Sequence, residues 1–188
     1  MTGILAHKRL DIEGARAIFT KCVKDHANSS SVDKCSKGLN RTSLAGRPAP
    51  ALDVETWING SPVDLAAQKG KVVLLWFFAT WCPHCKEAMP NIADMSVRFA
   101  DQGLVVVGVT ANTKGQTTES AASFVKTGEH AADFTYSVAV DRGQATTEAF
   151  DATGIPQAVL VDRKGIIRWT DHPVFLSDDM VEKLLAEK

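Results

Sequence analysis

No stretch of this 188-residue chain is apolar for long enough to cross a bilayer: the longest run, Val72 to Ala79, falls far short of the ~20 residues that a spanning helix needs. A surplus of positive charge is missing too. Lys plus Arg total 21 against 22 Asp plus Glu, a net charge of -1, so no global basic field draws in nucleic acid or anionic lipid. Cysteine is scarce: the 4 residues Cys22, Cys35, Cys82 and Cys85 are too few for a disulfide scaffold and leave the fold to a hydrophobic core. With 45% hydrophobic and 23% charged residues, the composition suits such a core, and the length suits one domain with an appendage or two very small domains. Residues 1–30 lack the pattern of a signal peptide, because His7, Lys8, Arg9 and Asp11 interrupt the opening. The Met1-Thr2-Gly3 start fits either a cytosolic protein or a chain from which an export signal has been removed.

Charge divides the chain unevenly. Residues 1–45 carry 8 basic and 4 acidic groups, and the remainder 13 basic and 18 acidic, which sets a boundary near Gly46. Gly46-Arg47-Pro48-Ala49-Pro50 reads as a linker, since two prolines force an extended path. No internal repeat or low-complexity tract is present, and Ser29-Ser30-Ser31 is long enough only for a turn. Before the linker, Ile12, Ala15, Ile18, Phe19, Cys22 and Val23 recur at helical spacing, which predicts an amphipathic helix over 12–26 with Cys22 on its apolar face.

After it, Leu52 to Ile58 alternates and meets Asn59-Gly60, which predicts an edge hairpin. Lys71 to Phe78 and Leu104 to Val109 are continuous β-branched and apolar runs, the pattern of strands covered on both faces of a parallel sheet. Between them Cys85, Met89, Ile92, Ser96 and Phe99 line one stripe of a helix over 82–99. A helix over 119–127, a strand over 134–140 and a short helix over 144–150 continue the alternation. Gln157 to Val161 and Ile166 to Thr170 flank Asp162-Arg163-Lys164-Gly165 as an antiparallel pair, and Ser177 begins a last helix that buries Met180, Val181, Leu184 and Leu185. The expected architecture is a three-layer α/β/α sandwich with a short helical N-terminal extension.

Cys82-Pro83-His84-Cys85 falls where the strand 71–78 turns into a helix. There the sulfur of Cys82 lies near unpaired N–H groups at the positive end of the helix dipole, which favours a thiolate. Cys85, one turn inward, is placed to close an intramolecular disulfide and release a mixed-disulfide partner. Pro83 suits an early helical position, where its missing N–H is not needed. An imidazolium at His84 would stabilise the thiolate further and make the disulfide more oxidising.

Trp81-Cys82-Pro83-His84-Cys85 after a buried strand, with Gly154-Ile155-Pro156 before a later one, resembles the thioredoxin superfamily. Within it, residues 46–188 are similar to the TlpA/ResA group of membrane-tethered or exported thiol-disulfide oxidoreductases, on Gly70-Lys71 before the first core strand, Pro90 in the active-site helix and the strand-helix insertion ahead of Pro156. The resemblance implies a cis Ile155-Pro156 peptide facing the disulfide and pairing of the Ile155 backbone with a substrate chain, while Trp81 reads both as a core aromatic and as a lid over the disulfide. It implies protein thiol or disulfide substrates, a redox partner protein, an extracytoplasmic location and no organic cofactor. Two departures stand out: Ala88 replaces the Glu common three residues after the second cysteine, and Trp76 occupies the place of thioredoxin's buried Asp. Neither supplies a base for Cys85. The tetrapeptide is the one found in the DsbA oxidases, whose potential lies about 150 mV above thioredoxin's, whereas the TlpA/ResA scaffold mostly serves reductants.

Alternatives attach to several residues. Cys22 and Cys35 are expected as a structural disulfide, as two free buried thiols or as a pair exchanging with Cys82 and Cys85, and with His26 they offer three ligands of a metal site. Cys82, Cys85 and His84 as copper or zinc ligands form the rival function, a metal carrier on the same fold. Trp57, Trp76 and Trp169 are expected to pack in strands, and His172 to be a solvated loop residue. His7 and His130 suggest no role, and the basic residues of 1–45 suggest a solvated face.

Overall fold

The computed structural model describes all residues except 1, 2, 4–6, 8, 9, 30, 31, 153 and 188. Six strands form one sheet: β1 (Val54–Asn59), β2 (Val72–Phe78), β3 (Leu104–Thr110), β4 (Ser137–Asp141), β5 (Gln157–Val161) and β6 (Ile167–Asp171), in the order β1-β4-β3-β2-β5-β6. β3 runs parallel to both β2 and β4, while β1, β5 and β6 join antiparallel. The helices are α1 (Ile12–Asp25), α2 (Val32–Arg41), α3 (Pro83–Arg98), α4 (Thr118–Thr127), α5 (Ala145–Ala149) and α6 (Asp178–Ala186).

β2 is buried along its whole length because both its faces are covered. Leu74, Trp76 and Phe78 pack with α3 and α6 residues such as Met89, Ile92 and Leu184. Val73, Leu75 and Phe77 pack on the opposite face with Phe150, Val159 and Ile167. A side chain is unwelcome at Gly108 in β3, where a Cβ would sit 3.0 Å from Trp76 Nε1 and 3.2 Å from Phe78 Cε1. Trp76 and Trp169 are core residues as expected; Trp57 is half-buried.

Three readings of the secondary structure need correction. The edge hairpin does not form: β1 stands alone at the sheet edge and pairs with β4. Gly60 does turn the chain, with φ +64°. However, Asn59 is held by the Phe134 and Tyr136 carbonyls, at 2.9 and 2.7 Å, and Asp64 caps a 3-10 turn over Leu65–Gln68, so no return strand follows. The strand expected from Phe134 begins at Ser137, because Phe134 and Tyr136 turn into the aromatic cluster around Trp76 and Phe78. The region before Gly46 holds a second helix, α2, which the polar Val32–Arg41 sequence did not announce. Ser30 and Ser31 of the expected turn lie outside the described residues.

The extension is joined to the sheet by specific bonds, so its basic residues are not merely a solvated face. Within the extension Arg16 donates to the Thr42 and Ala45 carbonyls at 2.9 and 2.8 Å, and Arg41 links it to the sheet by pairing with the buried Asp171 at 3.2 Å. Arg47 and Gly46 exchange hydrogen bonds with Ile167 at the β6 edge. His7, for which no role was expected, is buried with Nε2 3.1 Å from the Thr170 carbonyl and stacks on Trp169. Burial pushes its pKa down, against the pull of nearby Asp171. Cys22 of α1 and Cys35 of α2 form a disulfide with Cα atoms 5.5 Å apart. That bond consumes both sulfurs and removes the reading of free thiols and that of a metal site with His26.

Candidate functional site

β2 hands the chain to α3 through Ala79-Thr80-Trp81. Cys82 is the N-cap of α3 with extended backbone, φ -88° and ψ 114°, and Pro83 takes the first helical position. The Cys82 N–H donates to the Ala79 carbonyl, and the Cys82 carbonyl accepts from the Cys85 and Lys86 N–H groups, each at 3.2 Å. The Cys82 side chain forms no capping bond with these groups, so the helix acts on its sulfur through the dipole alone. Cys82 is 5% exposed and Cys85 fully buried; both are free thiols. Burial pushes the Cys85 thiol far above its ordinary pKa, and its hydrogen bond with Cys82 adds to the effect.

His84 stands on the exposed outer side of α3, its Nδ1 3.2 Å from Glu87 Oε2. A carboxylate so placed offsets part of the field that an imidazolium would exert on Cys82. Glu87 faces away from the buried thiol, in line with its sequence position, and Ala88 brings no carboxylate. Trp81 is 36% exposed, donates to the Thr113 carbonyl at 3.2 Å and carries Lys114 Nζ 4.2 Å above its ring.

The pairing of Phe77 with Gln157 sets the Ile155–Pro156 loop level with the end of β2. The Ile155–Pro156 peptide bond is cis, with Ile155 half-buried and Pro156 buried. Depressions surround this point. One of about 300 Å³ is shared by Trp81 and Ile155. A second, of about 560 Å³, runs from Ile155, Pro156 and His172 to Lys37 and Arg41 on α2. A third, of about 250 Å³, lies between His84 and His172.

Two residues of this neighbourhood escaped the sequence. His172 is not a freely solvated loop residue: it is half-buried, and its Nδ1 accepts from the Val174 N–H at 3.1 Å. Its pKa is pushed down first by desolvation and further by His84 and Arg41, against Asp171 and Glu87. Gln116 is buried and bonded to Thr80. Neither lies within a motif; only the fold brings them to the start of α3. His130 pairs with Asp133 at 2.9 Å. Among the described residues, no group of three His, Cys, Asp or Glu side chains is arranged to hold a metal ion. The copper or zinc reading therefore finds no third ligand there.

A pair of thiols at the amino end of a helix, set beside a cis-proline loop on this sheet, defines a thioredoxin-like protein with a dithiol site. Residues 44–185 match the Redoxin family, and the chain belongs to it. The protein DipZ of Mycobacterium bovis is 28% identical over 146 residues, which cover 76% of this chain but 21% of DipZ, so the chain spans about a fifth of that relative. The thiol-disulfide oxidoreductase ResA of Bacillus cereus is 28% identical over 143 residues, covering 76% of this chain and 70% of ResA. Among solved structures, a thiol-disulfide isomerase from Corynebacterium glutamicum superposes with a TM-score of 0.63 at 25% identity, over 74% of this chain and 98% of its own.

Proposed function

We propose that the protein catalyses thiol-disulfide exchange on protein substrates, with Cys82 as nucleophile and Cys85 as resolving thiol. The observation that carries the reading is the pair of free thiols, Cys82 and Cys85, at the strand-to-helix turn, the first buried but for a 5% exposed edge and the second fully buried. The Cys82 thiolate attacks one sulfur of a substrate disulfide, forming a mixed disulfide and expelling the other substrate sulfur as a thiolate that takes up a proton. Cys85 loses its proton and attacks the Cys82 sulfur, forming the Cys82–Cys85 disulfide and releasing the second substrate thiol. Two electrons pass from the dithiol to the substrate, and the reverse sequence oxidises a substrate dithiol. Pro83 starts the helix, Trp81 and Ile155 flank the attacked bond, and Pro156 holds the loop whose Ile155 backbone pairs with the substrate chain. A redox partner protein resets the pair, and no organic cofactor takes part.

His84 favours a higher potential and Glu87 tempers it, which supports a couple between thioredoxin's, about -270 mV, and that of the DsbA oxidases, about -120 mV. Residues 46–188 carry this chemistry as one domain, with 1–45 as a helical extension. An extracytoplasmic location fits the Cys22–Cys35 disulfide, which an oxidising compartment preserves. The test is exchange with a disulfide-bonded protein, alongside the reduction potential of the pair. Cys82→Ser is expected to abolish turnover, and Cys85→Ser to trap the mixed disulfide. Undiminished turnover by Cys82→Ser would overturn the assignment.

A further inference from the structure

We propose that Gln116 is a positioning residue for Cys82, its side-chain amide fixing the backbone of the Thr80-Trp81 turn from which the thiol is presented. The effect on turnover rests on the exchange function proposed above; the effect on the thiol does not. Gln116 sits between β3 and α4 and is 7% exposed. Its Oε1 accepts from the Thr80 N–H at 2.9 Å and from Thr80 Oγ1 at 2.7 Å. Its Nε2 donates to Thr110 Oγ1 and to the Ala111 carbonyl, both at 2.8 Å. The amide orientation is set by the chemistry of its partners, since a backbone N–H can only donate and a carbonyl can only accept. The amide thus uses both acceptor and both donor positions.

The consequence lies in what the turn would otherwise lack. Thr80 lies two residues past Phe78, the last ladder position of β2, so its N–H has no strand partner, and the side chain of a residue 36 positions away supplies one. An unpaired donor here would favour a rearranged turn, and two residues on is the attacking sulfur. The same segment also holds Trp81, through the Thr113 carbonyl and Lys114. Residues 111–117 therefore grip both side chains immediately ahead of Cys82.

Gln116→Leu removes all four bonds at similar volume. In the reduced protein, alkylation of Cys82 by iodoacetamide and kcat/KM for exchange should each fall about tenfold, the loss expected from one stranded polar group near the reacting atom, with the circular dichroism spectrum retained. Thr80→Val should give part of that loss and Thr80→Ser close to none, and Thr80→Val with Gln116→Leu should be no slower than Gln116→Leu alone. If Gln116→Leu does not fold, the Thr80→Val and Thr80→Ser pair carries the test. A lower melting temperature with alkylation within about twofold of wild type, independent multiplication of the two effects, or equal losses in Thr80→Ser and Thr80→Val would overturn the proposal. Undiminished exchange by Cys82→Ser would defeat the function and leave the alkylation result standing.

Discussion

Alkaline pH should destabilise the reduced protein through one sulfur. In the unfolded chain Cys85 ionises near its ordinary value of 9.0; in the folded protein, burial and the bond to Cys82 keep it protonated well above that. Above pH 9 the unfolded state has shed a proton that the native state retains, so stability falls as pH rises, with a limiting slope of about 1.4 kcal/mol per unit. The contribution is intact below the unfolded value and lost on the way up to the folded one. Integrated from about pH 8 to about pH 10, the loss is about 1.4 kcal/mol. Other groups titrate in the same range, so the comparison is with Cys85→Ala, in which this group alone is gone. Urea unfolding of both proteins under a non-thiol reductant measures it: across that range Cys85→Ala should gain about 1.4 kcal/mol relative to wild type, or about 3–5 °C in melting temperature. A difference constant to within about 0.3 kcal/mol would refute the reasoning and mean that the native thiol ionises as the unfolded one does.

Other consequences follow from equally local features. Gly108→Ala forces a methyl against Trp76 and Phe78 and should cost about 1–3 kcal/mol in urea unfolding, because the fully buried indole has little room to yield; a neutral result would mean that it does yield. Glu87→Gln releases His84 from its carboxylate partner and should raise the reduction potential of the Cys82–Cys85 pair by up to about 30 mV, a tenfold change in the exchange constant, less at high salt. A lowered potential would contradict the electrostatic account. Replacing Cys22 and Cys35 together by Ser removes a crosslink across a separation of 13 residues and should loosen α1 from α2, by about 3 kcal/mol in the loop-entropy estimate. Limited proteolysis should then cut residues 1–45 faster while the sheet remains resistant.

Much of the scaffold was legible because its signals are local. The continuous apolar run of β2, the stripe through Cys85, Met89 and Ile92, and the Gly165 turn between β5 and β6 each depend on residues within a few positions of one another. The edge strand misled because Asn59-Gly60 is a turn signal whose outcome depends on a partner far away: Asn59 is held by carbonyls at 134 and 136, so the chain leaves the edge. α2 was illegible because it has few apolar residues and is secured by the disulfide and by Arg41 on Asp171.

By itself the sequence determined the thiol chemistry: two cysteines three apart can meet across one helical turn, and a buried strand running into that helix puts the first at its amino end. Tertiary structure decided what surrounds them. It sealed Cys85 beneath Cys82, seated His172 opposite His84, and brought Gln116 under Thr80. These contacts depend on how strands far apart in the chain line up side by side, and neither spacing nor periodicity records that alignment.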